Sequence, residues 1–564
     1  YWNTSYPAVF SEGNLKVYRA DNNWVTALST LAVSSGKWYA EFVCTVGGNY
    51  IAMGILDVGA GNDVSSGLFI GEELNSVSYY GGNGYKYVSS GAGGSTTSYG
   101  STFGIGDVIG VALDLDAGTV KFYKNNTVQA SGTAAASSLS GTFAIGASVY
   151  GNNAIVANFG QDGSFAGYLT GGNVGTETDG NSIGAFKYAP PSDHLALCAS
   201  NLPDITIGPG QDTQATDHFD TILYTAAASN GTHTHGSISF TPDFSWIKNR
   251  NNTEEYYLMD VNRDNTSITD KFLNTNSADA EGAAGTAGTS FSVTSSGYEF
   301  VESSIDSGEL YYNSRTYVGW NWKAGGSPST IGIGSVSSGV PSIAASVSAN
   351  TAAGFSVITF STTATSGTVG HGLGVQPQLL IGKTRNHDVG WYIQTPLTAA
   401  NLVGAFDTSA WYDPTYNHYN DTHPTTSVFS VGGYMADHAD LTSPSSKVVY
   451  AFANVEGYQK IGKFVGGGSV LPFVYTGFRP AFLLLRSQTG GNNWSMYDNK
   501  RDIDNPVREY LIPNDTASAA STDTVDFLSN GFKVRNTGAY INTDGTTYIY
   551  IAIAEQPVKF SNAR

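Results

Sequence analysis

The sequence predicts an all-β protein of several domains, on three observations. Charged residues are only 13% of the 564, Gly numbers 68, and Tyr, Phe and Trp together make 12%. A turn-rich chain with few charges and almost no helix-period stretches reads as strands and loops. Short runs alternate cleanly, as in Gly36–Val46 (GKWYAEFVCTV), where Trp38, Ala40 and Phe42 fall on one face and Tyr39, Glu41 and Val43 on the other; that is the period of a strand. Lastly, a closing phrase recurs at Arg315–Lys323 (RTYVGWNWK), Lys447–Asn454 (KVVYAFAN) and Tyr548–Glu555 (YIYIAIAE), which makes the last two-thirds of the chain one module used three times. The chain is too long for one core, and a hydrophobic content of 41% suffices for packed sandwiches.

Bulk charge narrows the partners. Lys and Arg number 27 against 46 Asp and Glu, a formal net charge of −19, which disfavours nucleic acid and anionic membrane. No apolar run is long enough to span a bilayer. Cys44, in a strand-like stretch, reads as a buried free thiol, and with Cys198 it makes no disulfide framework. The chain opens on Tyr1-Trp2 with no signal peptide and no initiator Met, so an upstream segment is expected to be processed away or left out.

Residues 1–165 form the first predicted unit. After Gly36–Val46 come Tyr50–Ile55 (YIAMGI), a polar loop, LFIGEE, and Gly106–Val111 (GDVIGV) running into ALDLDAGTVKFYKNN. Asp116-Ala117-Gly118 is a hairpin turn, because Gly supplies the positive φ such turns need. Thr142–Val149 and Ile155–Phe159 close the unit. Asp114 and Asp116, two apart on a strand, could share a face as a metal or acid–base pair, but no His or third acid is near in sequence and turn solvation is the expected role. Tyr79, Tyr80, Tyr85 and Tyr87, set among Gly81, Gly82 and Gly84, are candidate ligand-binding residues. Rings on a Gly-rich loop can stack on sugars or form a protein-binding patch; the alternative is that they cover the sheet.

The phrases GKWYAEF, YIAMGI, GDVIGVALDLDAGTVKFYKNN and VANFGQ, in this order and spacing, resemble a SPRY domain. The resemblance implies a concanavalin-like sandwich of two antiparallel sheets, with the partner held by loops at one end and no shared catalytic residue.

Residues 166–217 are a Gly- and Pro-rich connector with Ala189-Pro190-Pro191 at its middle. It is expected to lie on its neighbours, because Leu195, Leu197 and Leu202 need cover. Three tandem β-sandwich repeats follow, at 218–326, 351–459 and 460–564, with a linker at 327–350. Their shared device is an x-Pro before an apolar strand: Pro242 before Phe244–Ile247, Pro377 before Leu379–Ile381, Pro480 before Phe482–Leu484. Proline lacks a donor and belongs at a strand's first position. An aromatic, half-polar strand comes next (Tyr256–Asp260, Trp391–Gln394, Trp494–Asp498), then Arg263-Asp264 and Arg501-Asp502, read as local loop clamps, where repeat two has Leu397-Thr398. From the shared Pro to the end of the closing strand is roughly 75 to 80 residues. A whole repeat of about 105 residues is a normal sandwich, so the repeats are expected as autonomous beads. His235 and His371 fall at matching places; repeat three lacks the His, so satisfied loop histidines are expected.

Repeat two carries a local departure, Ser409–Pro424 (SAWYDPTYNHYNDTHP). Its Trp411, Tyr412, Tyr416 and Tyr419 beside Asp and Asn residues are further candidate ligand-binding residues. Flat rings with amides and carboxylates suit a saccharide, a subunit interface, or ordinary packing.

YAPPSDHLALCASNLPDITI followed by HFDTILYT resembles the junction after SPRY units in long virion proteins of marine bacteriophages, and the ending AIAEQPVKFSNAR resembles their terminal phrase, which implies a natural C-terminus. The resemblance implies a bacteriophage virion structural protein on the particle surface, a tail fibre or spike whose β domains adhere to the host. Expected partners are other copies of the chain as a homotrimer, other virion proteins, and a host-surface glycan or protein receptor. A capsid-decorating or head fibre, or a non-viral surface adhesin, is the alternative. No enzyme activity, cofactor or metal is expected, since cleavage of a polysaccharide would need a paired acid and base and the acids here are scattered.

Overall fold

In the computed structural model the strands fall where alternation puts them, and the burial of both their faces explains the layers. The structure describes residues 9–59, 67–89, 94–263, 271–282, 289–302, 310–335, 341–362, 366–409, 417–436, 445–489 and 491–557, with the backbone of 411–412. Two compact units emerge, Tyr1–Asp204 with Val470–Gly477, and Ile205–Ser469 with Phe478–Val558.

The first unit is a sandwich. One sheet runs Val9–Ser11, Lys16–Arg19, Asn153–Asn158, Lys37–Val46, Val108–Asp114, Thr119–Lys124, Thr127–Val128; the other runs Trp24–Val33, Phe143–Tyr150, Ile51–Asp57, Ser76–Tyr80, Tyr85–Ser89, Ser95–Ser98. Trp38, Ala40, Phe42 and Cys44 point into the core with Ile55, Ile109, Phe122 and Ile145. The opposite face of Lys37–Val46 is buried too, because the connector straps over it. Phe186 and Ala196 cover Tyr39 and Ala112, and Phe165 covers Val43 and Val108. Glu41 fastens the strap by accepting the backbone N–H groups of Lys187 (2.7 Å) and Tyr188 (2.9 Å). Leu197 is buried and Leu195 and Leu202 pack on the core, as their need for cover predicts. Asp114 and Asp116 are turn acceptors, for Ala117 N and Gly36 N.

The second unit holds the three repeats, each with the same four-stranded sheet. In repeat one the order is Phe219–Thr225, Thr316–Trp322, Phe244–Asn249, Tyr256–Asp260; in repeat three it is Gln459–Val465, Thr547–Ala554, Pro480–Ser487, Ser495–Asp498. Repeat two has Phe355–Thr362, Ser445–Phe452, Leu379–Thr384, Tyr392–Gln394, lengthened at one edge by Ser329–Ile331 and Ala345–Asn350 from the linker and at the other by Val403–Ala405 and Trp411–Tyr412. Register fixes equivalent positions: Phe244 faces Trp322 and Asp260, Leu379 faces Phe452, and Phe482 faces Ile553 and Asp498. One face of each sheet packs on its own smaller sheet, as Ile222, Tyr224, Ile247 and Tyr317 do with Phe291, Tyr298 and Phe300.

The other face overturns the bead arrangement. A free sandwich would turn polar residues outward there; instead these faces converge on one another. Trp322 of repeat one lies 6.2 Å from Phe355 and 6.4 Å from Phe452 of repeat two, and 5.6 Å from Phe482 of repeat three (ring centroids). Phe406 of repeat two touches Trp246 (5.6 Å) and Trp494 (5.0 Å) of the other two. A cyclic set of polar contacts closes the ring. Lys248, Lys383 and Arg486 occupy equivalent positions, one residue before the strand register ends, and all are fully buried. Lys383 Nζ donates to Ala278 O of repeat one (2.6 Å), Arg486 Nη1 to Ala405 O of repeat two (2.6 Å), and Lys248 Nζ to Thr516 O of repeat three (3.1 Å). Three sandwiches from one chain thus sit about a pseudo-threefold axis, each donating a cation to the next.

The Arg-Asp clamps also differ from expectation. Asp264 lies outside the described residues, and Arg263 pairs with Asp260 (2.5 Å); Arg501 likewise pairs with Asp498 (2.5 Å), while Asp502 accepts the backbone N–H of Arg508 (2.6 Å). Both pairs are buried and both reach across a seam: Asp260 accepts Tyr450 OH of repeat two (2.7 Å), and Asp498 accepts Trp320 Nε1 of repeat one (3.0 Å). His371 is buried between Thr425 O and Leu373 N in a loop, and His235 meets Tyr311 OH (2.9 Å); both are satisfied, but His235 ends the strand Gly231–His235, opposite Tyr298, and is not a loop residue.

Candidate ligand-binding face

A strand sends neighbours to opposite faces, and this divides the tyrosine cluster. Tyr79 points into the core of the first unit, fully buried, with its hydroxyl near Gln129 Oε1 (3.2 Å). It cannot meet a ligand, which corrects the expectation for that residue. Tyr80 points to the outer face of the second sheet. Ser78 pairs with Tyr87 across the hairpin, so Tyr80, Tyr85 and Tyr87 share this outer face.

Tyr80 and Tyr87 do not stand alone. Their rings are 5.5 Å apart, and both lean on Phe69 (5.7 and 5.0 Å). Phe69 packs on Trp24 (4.7 Å), Trp24 on Tyr150 (5.4 Å), and Tyr150 on Tyr50 (5.5 Å). Phe69 is buried beneath the row, Trp24, Tyr80, Tyr87 and Tyr150 are half-buried, and Tyr50 is 51% exposed. Ring pairs at these separations and tilts are stabilising beyond their buried area, by about 0.5–1.5 kcal/mol each, so the row is held in shape before anything binds. The close approach of two loops sets its far end: a Cβ on Gly82 would lie 2.3 Å from Asn49 O and 2.9 Å from Tyr80, so only glycine lets Tyr50 reach this face.

Polar groups rim the rings. Asn83 Nδ2 donates to Tyr87 OH (3.3 Å). Burial pushes the Glu72 carboxyl above its ordinary range, and burial first, then Tyr87, Tyr50 and Glu72, pushes Tyr80 up to about 12; the Tyr80 hydroxyl therefore stays neutral and able to donate at neutral pH. The chemistry on offer is contact: ring faces and edges, hydroxyls and an amide.

Sequence reasoning missed Trp24, Tyr50, Phe69 and Tyr150. Each comes from a different segment, and only the pairing of Trp24 with Tyr150 and of Ala52 with Tyr80 brings them together. In repeat two, the side chains of Trp411 and Tyr412 and the whole of Tyr416 lie outside the described residues; the backbone of Trp411–Tyr412 pairs with Val403–Gly404. Tyr419 is a core residue, 1% exposed, between Tyr392 (6.1 Å) and Phe429 (6.4 Å), so the saccharide expectation fails for it because its ring fills the repeat's own sandwich. Among the described residues no group of three or more His, Cys, Asp or Glu could hold a metal ion, and no helix is long and apolar enough to cross a membrane.

Residues 37–162 match the SPRY domain family, and the first unit carries a SPRY domain. Among solved structures, the chain is similar to the SPRY domain of human HERC1 (18% identity, 27% of this chain and 91% of that one, TM-score 0.22). It is also similar to a human SPRY domain (18%, 27% and 93%, 0.22) and to the carbohydrate binding module CBM66 from Bacillus subtilis (11%, 27% and 87%, 0.21). No curated protein matches the chain. Residues 214–557, more than half of the chain and spanning the three-sandwich ring, match the family described as Domain of unknown function (DUF7483), and the chain belongs to that family.

Proposed function

We propose that the protein is a non-enzymatic structural component of a bacteriophage virion, a tail fibre or spike that adheres to the host surface through its SPRY sandwich. The observation that carries this reading is the pre-formed row of Tyr50, Tyr150, Trp24, Tyr80 and Tyr87, half-open on the sheet. Such rings grip a glycan or a protein receptor by contact alone. The resemblance of the junction and the C-terminal phrase to phage virion proteins supplies the address. The acidic surface, −19 overall, fits an uncharged or basic receptor better than an anionic one. A homotrimer of the whole chain, with other virion proteins as neighbours, belongs to the same proposal and is independent of the ring within one chain.

The test is adhesion of the purified full chain to cells that the phage infects, with Trp24→Ala/Tyr87→Ala beside it. The reading predicts saturable binding, weakened at least tenfold in the variant with far-UV circular dichroism unchanged, and antibody against the chain decorating the particle surface. Equal binding by both proteins, or no decoration of the particle, refutes it.

A further inference from the structure

The pseudo-threefold ring lets one seam be read against another. At the seam of repeats one and two, Glu281 bridges two arginines. Its Oε1 accepts Arg263 Nη1 (3.0 Å), and its Oε2 accepts Arg385 Nε (3.1 Å) and Nη2 (2.7 Å). At the seam of repeats three and one, Arg501 stands where Arg263 does. Each bonds its Nε to the aspartate three residues before and its Nη2 to the carbonyl five residues before, Leu258 and Met496 at 3.0 Å. Arg250 stands where Arg385 does, each donating its N–H to the closing strand at 2.8 Å (Thr316 O and Ser446 O). The residue equivalent to Glu281 is fixed by one repeated backbone bond. Glu281 N donates to Arg385 O, and Ala519 N donates to Arg250 O (2.9 Å).

The bridging carboxylate is therefore missing at the second seam, and its two donors show it. Arg501 Nη1 and Arg250 Nε are both buried without a hydrogen-bond partner. The Arg501 side chain is fully buried against the Trp320 ring (5.4 Å). Arg501 Nε is engaged by Asp498 and its Nη2 by Met496 O, and Arg250 Nη2 is engaged by Glu509 Oε2 (2.8 Å). Leaving a buried charged donor unpaired is costly, and cations so placed take an anion.

We propose that a small oxyanion of carboxylate size binds between Arg250 Nε and Arg501 Nη1, in the place that Glu281 fills at the neighbouring seam. Asp498 and Glu509 already balance the two guanidinium charges, so the anion is held by directed N–H groups and binds in the millimolar range. Entry is expected from the Arg250 side, since that side chain is 21% exposed although its Nε is buried. The proposal is independent of the adhesion reading, since the site lies in the three-sandwich unit.

Thermal unfolding of the full chain tests it. Sodium formate is titrated at constant ionic strength against the bulky sulfonate MES. A saturable rise of about 2 °C in Tm is expected. Ala519→Glu, which supplies the carboxylate, raises Tm without formate and abolishes the response; Ala519→Gln, of equal size but uncharged, does neither. Arg250→Gln, at a partly exposed position, also abolishes the response and serves if Ala519→Glu does not fold. A shift that fails to saturate, no shift in the wild type, or a response that persists in Arg250→Gln overturns the proposal.

Discussion

Replacing Asp260 with Asn separates a ring that melts as one body from sandwiches that melt alone. The Asp260 carboxylate is fully buried and accepts Arg263 Nε (2.5 Å), Arg263 N and Asn262 N (3.1 Å each), and Tyr450 OH of repeat two (2.7 Å). Neutralising it leaves Arg263 buried with only Glu281 as counter-charge, a loss of about 3–5 kcal/mol. What that loss does to Tm depends on how much chain melts with it. At about 2.1 cal/mol/K per residue, 4 kcal/mol lowers Tm by about 6 °C if all three repeats unfold together, but by about 18 °C if one repeat of about 105 residues unfolds alone. The calorimetric enthalpy gives a second reading, about 240 kcal/mol for the whole unit against about 75 kcal/mol for one repeat. Differential scanning calorimetry of the full chain is the assay. A small shift in a large transition is expected, and Tyr450→Phe, which removes the cross-seam hydroxyl from a charged acceptor, should move the same transition by about 2 kcal/mol. In the double variant the two effects should fall short of additive, because the residues share one contact. A large shift in a small transition, with the rest of the heat unmoved, would refute the shared core.

Three further outcomes follow from buried groups. Burial pushes Lys383 down to about 8, below its unfolded value, so the fold carries a penalty that is whole below pH 8 and relieved toward pH 10.5; the stability of wild type relative to Lys383→Met should rise between pH 8 and 10 in denaturant titrations, and a flat difference would contradict the buried cation. Burial pushes Glu41 up to about 7, against the opposing pull of the Lys187 and Tyr188 N–H groups, so its contribution is whole below its unfolded pKa and lost as pH rises through 7. Glu41→Gln should therefore flatten the pH dependence of the first unit between pH 5 and 8. Cys44 is fully buried and Cys198 half-buried, so a thiol reagent should label Cys198 in the native protein and Cys44 only on unfolding.

How much of this was legible in the sequence can be argued from the closing strands. Alternation and the x-Pro device place them, and the repeat of KVVYAFAN and YIYIAIAE counts the modules. The same strands also carried a warning against beads. In YIYIAIA the tyrosines and the isoleucines fall on opposite faces, and a strand apolar on both faces must be covered on both. One sequence does not say by what: a second chain, a lipid, or its own repeats would read alike. The partner is hidden because the axis residues differ from repeat to repeat, Trp322 against Phe452 and Ile553, and only register equates them. The aromatic face was half-legible for a related reason. Tyr80, Tyr85 and Tyr87 are close in sequence, whereas Trp24 and Tyr150 meet them only through pairing across the sheet.

Folding a threefold assembly from one chain has a consequence that three separate copies cannot share. In a homotrimer every substitution appears at all three seams at once, so a seam cannot specialise. Here each seam is written separately. The residue two past the buried cation is Arg385 at one seam, bridged to Glu281; Arg250 at the next, bridged to Glu509; and Gln488 at the third. The half-polar strands are entered by Trp391, whose Nε1 donates to Asn274 O (2.8 Å), by Trp494, whose Nε1 points to Ala405 O (3.4 Å), and by Tyr256 at the same position in repeat one. What stays constant is the cation two residues earlier, Lys248, Lys383 or Arg486, reaching a neighbour's carbonyl. Since burying an unpaired cation is costly, each module is satisfied only when the next is in place, and the ring has a reason to close as one.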